Sequence, residues 1–183
     1  TLGTALADVI DNSITAGARS GDLFMESIGT ERRIAIIDDG SGMTGDTLIE
    51  AMVFASQHPE DERDEKDLGR FGLGLKTAAF SQCRRLTVVT RRDGAARAAR
   101  WDLDVIAETG KWSLDEWEPG DGVERPWMME QLGAHGTLVL MEDLDRLVAD
   151  DGSSIDDPEF ERRMSEATDH LELVFHRFLA GEP

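Results

Sequence analysis

The chain is short of cysteine, of lysine, of aromatic residues and of long apolar runs, and each shortage excludes something. A single cysteine, Cys83, can neither close an internal disulfide nor build a thiolate metal cluster. It ends Ala78-Ala79-Phe80-Ser81-Gln82-Cys83, an apolar helix end, which predicts a buried, inert thiol. No apolar run approaches the length of a membrane span and no signal-peptide pattern is present, so the expectation is a cytoplasmic protein with no membrane contact. Cations are scarce: 19 Lys and Arg stand against 38 Asp and Glu, a net charge of −19. That balance argues against a broad nucleic-acid surface, because phosphate contacts need clustered Lys and Arg. A local patch of Arg84, Arg85, Arg91 and Arg92 is the exception to weigh, and its plainer reading is a solvated helix end and hairpin. What remains, 183 residues of which 40% are hydrophobic and 6% aromatic, suits one domain (residues 1–183) with a sizeable core. The start at Thr1, already close to a motif, reads as a piece of something longer.

Hydrophobic spacing lays out the elements. Leu6, Val9, Ile10 and Ile14 recur at helical intervals between Leu2 and Ala16, and Gly17 ends the run. Arg32 to Asp38 reads as a largely buried strand, and Thr44 as the N-cap of a helix over residues 45–56. Residues 57–67 are acidic, polar and interrupted by Pro59, hence a loop, with a helix expected over 73–82. Leu86 to Thr90 and Ala96 to Leu103 flank Arg92-Asp93-Gly94, a hairpin turn. Residues 108–131 hold Trp112, Trp117 and Trp127 among acids and prolines and read as irregular with one short edge strand. Gly136 to Glu142 is a strand, and an apolar stripe from Phe160 to Phe178 predicts an amphipathic helix over 158–180. The sum is α+β: a two-layer helix–sheet sandwich whose sheet is mixed and largely antiparallel.

Four blocks carry chemistry. Asp8 and Asn12 lie four residues apart, so on a helix they share a face. A carboxylate that can deprotonate water, one turn from an amide oxygen that can bind a hard cation, suits phosphoryl chemistry; a polar stripe on an exposed helix explains the same pair. In the second block, Gly40-Ser41-Gly42-Met43-Thr44-Gly45 matches the dinucleotide pattern G-x-G-x-x-G. Against that reading, Asp38 and Asp39 sit where a pyrophosphate would approach, and no second parallel strand follows the helix. The alternative is that Asp38 accepts from a base amino group while the glycines let the backbone lie close to the ring. In the third block, Gly69 and Gly74 have P-loop spacing, but Leu75 separates Gly74 from Lys76-Thr77 and breaks the pattern. A glycine-rich turn at a helix start, followed by one of only three lysines, still has the physics of a phosphate site. The fourth block is His135-Gly136-Thr137, opening the late strand.

In this order the blocks resemble the GHKL superfamily of ATPases with the Bergerat fold: gyrase B, the ninety-kilodalton heat-shock chaperones, histidine kinases and MutL. Asp38 to Met43 and Gly72 to Lys76 look most like its microrchidia-type branch. The resemblance covers residues 2–144 and implies ATP and Mg²⁺ as cofactors. It implies that Asn12 holds the metal, that Asp38 binds the adenine amino group with Thr137 in support, and that Gly40, Gly42 and Met43 shape the base pocket. Gly69, Gly72 and Gly74 would wrap the phosphates, Lys76 would contact the terminal one, and residues 55–72 would form a lid. The general base of such proteins is a glutamate, and Asp8 stands in its place; Thr15 stands where many relatives carry an acid.

The resemblance implies a slow ATPase that drives a conformational switch, with an ATP-dependent homodimer and a protein client as partners. Two other readings share the sequence. One is a histidine-kinase catalytic domain, for which neither His170 nor His176 offers an acceptor context and against which Gly74-Leu75-Lys76 speaks. The other is a nucleotide-sensing module in which Asp8 supports no turnover.

Overall fold

A computed structural model of the chain describes residues 1–29, 31–53, 79, 82–144 and 156–174. The expected helix over 73–82 falls almost wholly outside these residues, as do the lid segment 55–72 and residues 175–180 of the last helix.

The first helix, α1 (Leu2–Thr15), is capped by the Thr1 side chain, which accepts from Thr4 N, and buries Leu2, Leu6 and Val9. It is followed by β1 (Gly21–Ile28), β2 (Glu31–Asp38) and α2 (Gly45–Val53). Thr44 Oγ1 accepts from Thr47 N at 3.2 Å, the expected cap of α2. Next come β3 (Arg85–Arg92) and β4 (Ala95–Asp102), joined through Asp93 and Gly94, both at positive φ. A short helix, α3 (Leu103–Thr109), precedes β5 (Asp115–Trp117), a 3₁₀ turn at Met129–Gln131 and β6 (Gly136–Glu142). The last described helix is α4 (Asp157–Val174).

The six strands form one sheet in the order β1-β2-β6-β3-β4-β5. Every described pairing is antiparallel, which carries the largely antiparallel expectation to its limit. The order also disposes of the dinucleotide reading: β2 and β3 run in the same direction, but β6 lies between them and antiparallel to both, so they form no adjacent parallel pair.

Alternation along the strands sends two sets of side chains to two faces. Ile34, Ile36, Leu86, Val88, Ala99, Trp101, Val139 and Met141 face the helices and join Leu6, Val9, Leu48, Met52, Phe160 and Met164 in the main core. Within that core, α1 packs along α4, and Trp101 Nε1 donates to Met52 O at 2.9 Å, pinning the end of α2 to β4. Cys83 is buried here, as its apolar context predicted. On the opposite face Ala35, Ile37, Val89, Ala98, Leu138 and Leu140 are covered by Trp117, Trp127, Met128, Met129 and Leu132. The stretch read as irregular therefore shields the outer face of the sheet from water.

Two elements escaped the sequence reading. β1 is an edge strand whose exposure alternates poorly, with Met25 and Ile28 more than half exposed. α3 does carry legible signals. Asp102 Oδ1 accepts from Asp104 N and Val105 N as its N-cap, and Gly110 ends it in the left-handed conformation.

The arginine patch is internally engaged. Arg84 pairs with Asp104, and Arg85 with Asp102 and Asp143. Arg91 donates to Leu132 O and Gly133 O, and Arg92 lies 3.8 Å from Asp93. No described helix is long and apolar enough to cross a membrane.

Candidate functional site

The site grows from one register match. Because β2 and β6 pair antiparallel with Asp38 opposite Thr137, the end of one strand meets the start of the other. Thr137 N donates to Asp38 Oδ1 at 3.2 Å, and Gly40 N donates to the same oxygen at 2.9 Å. From α1, Ser13 Oγ donates to Asp38 Oδ2 at 2.8 Å. The carboxylate is thus built in from three elements and is only 6% exposed. Burial pushes its pKa up, against the pull of Ser13, Gly40 and Thr137.

Asp39, its neighbour, does different work. It faces outward and accepts from Ser20 N and Arg19 N at 2.9 and 2.7 Å, and these two amides hold its pKa below the ordinary value. Ser41 N donates to Ala16 O at 3.1 Å, so the turn after α1 and the loop after β2 are laced together. Gly40 O accepts from His135 at 2.8 Å; a carbonyl has no proton to give, so Nδ1 must carry the hydrogen. Two glycines are required by close approach. A Cβ on Gly42 (φ +64°) would lie 2.2 Å from Arg91 O, and one on Gly136 (φ +125°) 2.0 Å from Asp38 O.

Between α1, α2 and the sheet lies a cavity of about 210 Å³ with Asp38 in its lining. Asn12, Gly42, Met43 and Thr137 also line it, with Val9, Leu48, Met52, Val88 and Val139 as apolar walls. A largely apolar cavity with one buried carboxylate suits a heteroaromatic base with an exocyclic amino group. An ionised carboxylate has about four acceptor positions, and three internal donors leave one for such a group.

Of the residues singled out in sequence, Asn12, Asp38, Gly42, Met43 and Thr137 meet at the cavity, and Gly40 supports Asp38 from the loop. Asp8 is half-buried one turn behind Asn12 and is not among the lining residues. Gly69, Gly72, Gly74 and Lys76 lie outside the described residues. Ser13 was missed. Its signal is its place on the buried stripe Leu2-Leu6-Val9-Ser13 of α1, where a hydroxyl needs a partner. Among the described residues no cluster of three or more His, Cys, Asp or Glu could hold a metal by itself. Asn12 with phosphate oxygens and water would suit Mg²⁺, which keeps much of its hydration and takes few protein ligands.

Residues 1–137 match the family model of histidine kinase-, DNA gyrase B- and HSP90-like ATPases. The chain belongs to this family. Among curated relatives, the chain is 32% identical over 145 residues to a DNA mismatch repair protein MutL of Bradyrhizobium diazoefficiens, covering 77% of this chain and 21% of that protein. It is 33% identical over 95 residues to the ATPase morc-1 of Caenorhabditis elegans, covering 52% of this chain and 11% of that protein. A MutL of Afipia carboxidovorans is 36% identical over 108 residues, 57% of this chain and 17% of that protein. The chain thus spans between about a tenth and a fifth of the length of these relatives. The family match supports the resemblance drawn from the four blocks, and the likeness to morc-1 supports its microrchidia-type side. As a GHKL ATPase domain, the chain has a fold consistent with ATP binding and conformational switching.

Proposed function

We propose that this chain binds Mg²⁺-ATP in the cavity beneath Asp38 and hydrolyses it slowly, using the cycle to switch conformation. The observation that carries the reading is the buried Asp38 carboxylate, held by Ser13, Gly40 and Thr137 with one acceptor position left for a ligand. Asp38 accepts from the adenine amino group, while Met43, Met52, Val88 and Val139 enclose the ring. Asn12 holds Mg²⁺, whose charge offsets that of the phosphates. Gly69, Gly72, Gly74 and Lys76 supply amides and a cation to the phosphate chain, and residues 55–72 close over it. Closure creates a surface for a second copy of the chain and for a protein client, as an order–disorder switch would.

Asp8 takes the proton of the attacking water. Aspartate is one methylene shorter than glutamate, and about 1 Å of misplacement costs on the order of 100-fold in rate, so turnover is slow. The position of Asp8 behind the cavity lining favours a second reading, a nucleotide-sensing module with no turnover.

Calorimetric titration with ATP and Mg²⁺, wild type beside Asp38→Asn, tests the first reading. Binding by the wild type alone supports it, and equal binding by both rejects the base pocket. Phosphate release no greater than that of Asp8→Ala would select the sensing module over the ATPase.

A further inference from the structure

We infer that Thr90, buried at the end of β3, is a positioning residue that sets the width of the base slot without touching what the slot holds. The inference rests on the base-pocket reading above and deepens it.

Thr90 is fully buried and stands opposite Thr137 in the β3–β6 register. It is not among the residues that line the cavity. Its hydroxyl accepts from Met43 N at 2.7 Å and donates to Gly136 O at 3.3 Å. A hydroxyl has one proton and two lone pairs, so one oxygen can serve both bonds. Those bonds run to opposite walls. Met43 belongs to the loop that roofs the slot, and Gly136 precedes Thr137, whose amide holds Asp38. Thr90 therefore ties the Met43 end of the loop to the strand end whose amide holds Asp38, while Ser41 and Gly40 anchor the rest of the loop.

The packing leaves no slack around this post. A Cβ on Gly42 would come within 3.2 Å of Thr90 Oγ1 as well as 2.2 Å of Arg91 O, so the loop already lies on the end of β3. Valine has the shape and strand preference of threonine but no hydroxyl. Thr90→Val would leave the Met43 amide without its partner and Gly136 O with one bond fewer. The loop can regain a bond only by lifting toward water, which moves Met43 away from the ring.

The test titrates ATP with Mg²⁺ into wild type, Thr90→Val, Thr90→Ser and Asp38→Asn, and follows hydrogen exchange at the assigned Met43 and Val139 amides. Asp38→Asn should lose binding. Thr90→Val should bind about tenfold more weakly, the worth of one buried hydrogen bond, and Thr90→Ser within about twofold of wild type. Exchange at Met43 should quicken at least about tenfold in Thr90→Val and not in Thr90→Ser, with Val139 unchanged in both; general destabilisation would move the two amides together. Thr90→Val binding within about twofold of wild type overturns the inference, provided Asp38→Asn is dead. If Asp38→Asn binds like wild type, the base pocket itself is wrong and the inference falls with it. Should Thr90→Val fail to fold, Met43 in the wild type decides. Protection there, kept in Thr90→Ser, upholds the post, and exchange at the rate of an unstructured chain refutes it.

Discussion

On the helix side of the sheet, strand residues such as Ile34, Val88 and Met141 meet apolar helix residues, and the packing opens into a cavity at the Asp38–Thr137 end. On the opposite side, Glu26, Arg33, Glu142, Arg85 and Asp102 stand in register across five neighbouring strands, alternating in sign. Arg33 pairs with Glu26 and lies 4.3 Å from the Trp127 ring centroid, and Arg85 Nε donates to Asp102 at 2.9 Å. Both faces hold half-buried or buried carboxylates, yet to different ends. Glu142 is raised by burial, against the pull of Arg85 and Arg100, and cations flank it in register. Asp38 is also raised by burial, but its partners are neutral donors and its free acceptor position borders a cavity. A carboxylate surrounded by cations is neutralised within the sheet, whereas one held by neutral donors beside a cavity keeps an acceptor position open to a ligand.

The largest break in that comparison should come from the helix-side core. Phe160, 2% exposed, joins α4 to the sheet. Phe160→Ala should cost about 3–5 kcal/mol of stability in urea unfolding. If the loss were below about 1 kcal/mol, α4 would not complete the core.

Asp38→Asn separates binding from stability. Its amide would turn a donor toward the adenine amino group, and ATP affinity should fall on the order of 100-fold, about 2.7 kcal/mol. The unliganded variant should be no less stable than wild type. Because folding raises the Asp38 pKa above 3.8, the folded state takes up the proton first, and this group's contribution to stability declines as pH rises through the raised value. The melting-point advantage of Asp38→Asn should accordingly grow with pH. Wild-type ATP affinity should drop as pH falls through the same range.

Asp102, on the outer face, should follow the opposite sign. Asp102 is pushed up by burial but is held below 3.8 overall by Arg85 and the α3 amides. The stability it contributes is present above its ordinary value and lost as pH falls through the depressed one. Asp102→Ala should cost about 1–2 kcal/mol at neutral pH and much less in strong acid, measured by thermal unfolding across pH. Glu159, lowered from 4.5 to about 2 by Arg162 and Arg163 on α4, should add a loss of helix stability on acidification between those values.

The smallest effect belongs to Glu142→Gln. Its arginine neighbours keep Glu26 and Asp102 as partners, and burial already opposes its charge, so stability at neutral pH should change by less than about 1 kcal/mol. A loss of several kcal/mol would show that the row acts as one network rather than as separate pairs.

Much of this was legible in the chain. The spacing of Leu6 and Val9, the cap at Thr44, the Asp93-Gly94 turn and the unbroken apolar run before Asp38 are local patterns with local physical causes. β1 was not legible, because an edge strand buries too little for its alternation to show. The outer-face role of residues 117–132 was not legible either, since irregular backbone has no period and its tryptophans and methionines find their partners only across the sheet.

By itself the sequence determined which residue types were present and at what local spacing: an acid before glycines, an amide one turn beyond another acid, and a threonine after a glycine. Those spacings are set by helix and strand periodicity, which acts over a few residues. Only the tertiary structure decided which of them meet. The β2–β6 register brought Thr137 to Asp38 across nearly a hundred residues, and α1 turned Ser13, rather than Asp8, toward that carboxylate. Burial then separated Asp38 from Asp39, chemically identical neighbours, because desolvation depends on what packs around a group and not on what precedes it in the chain.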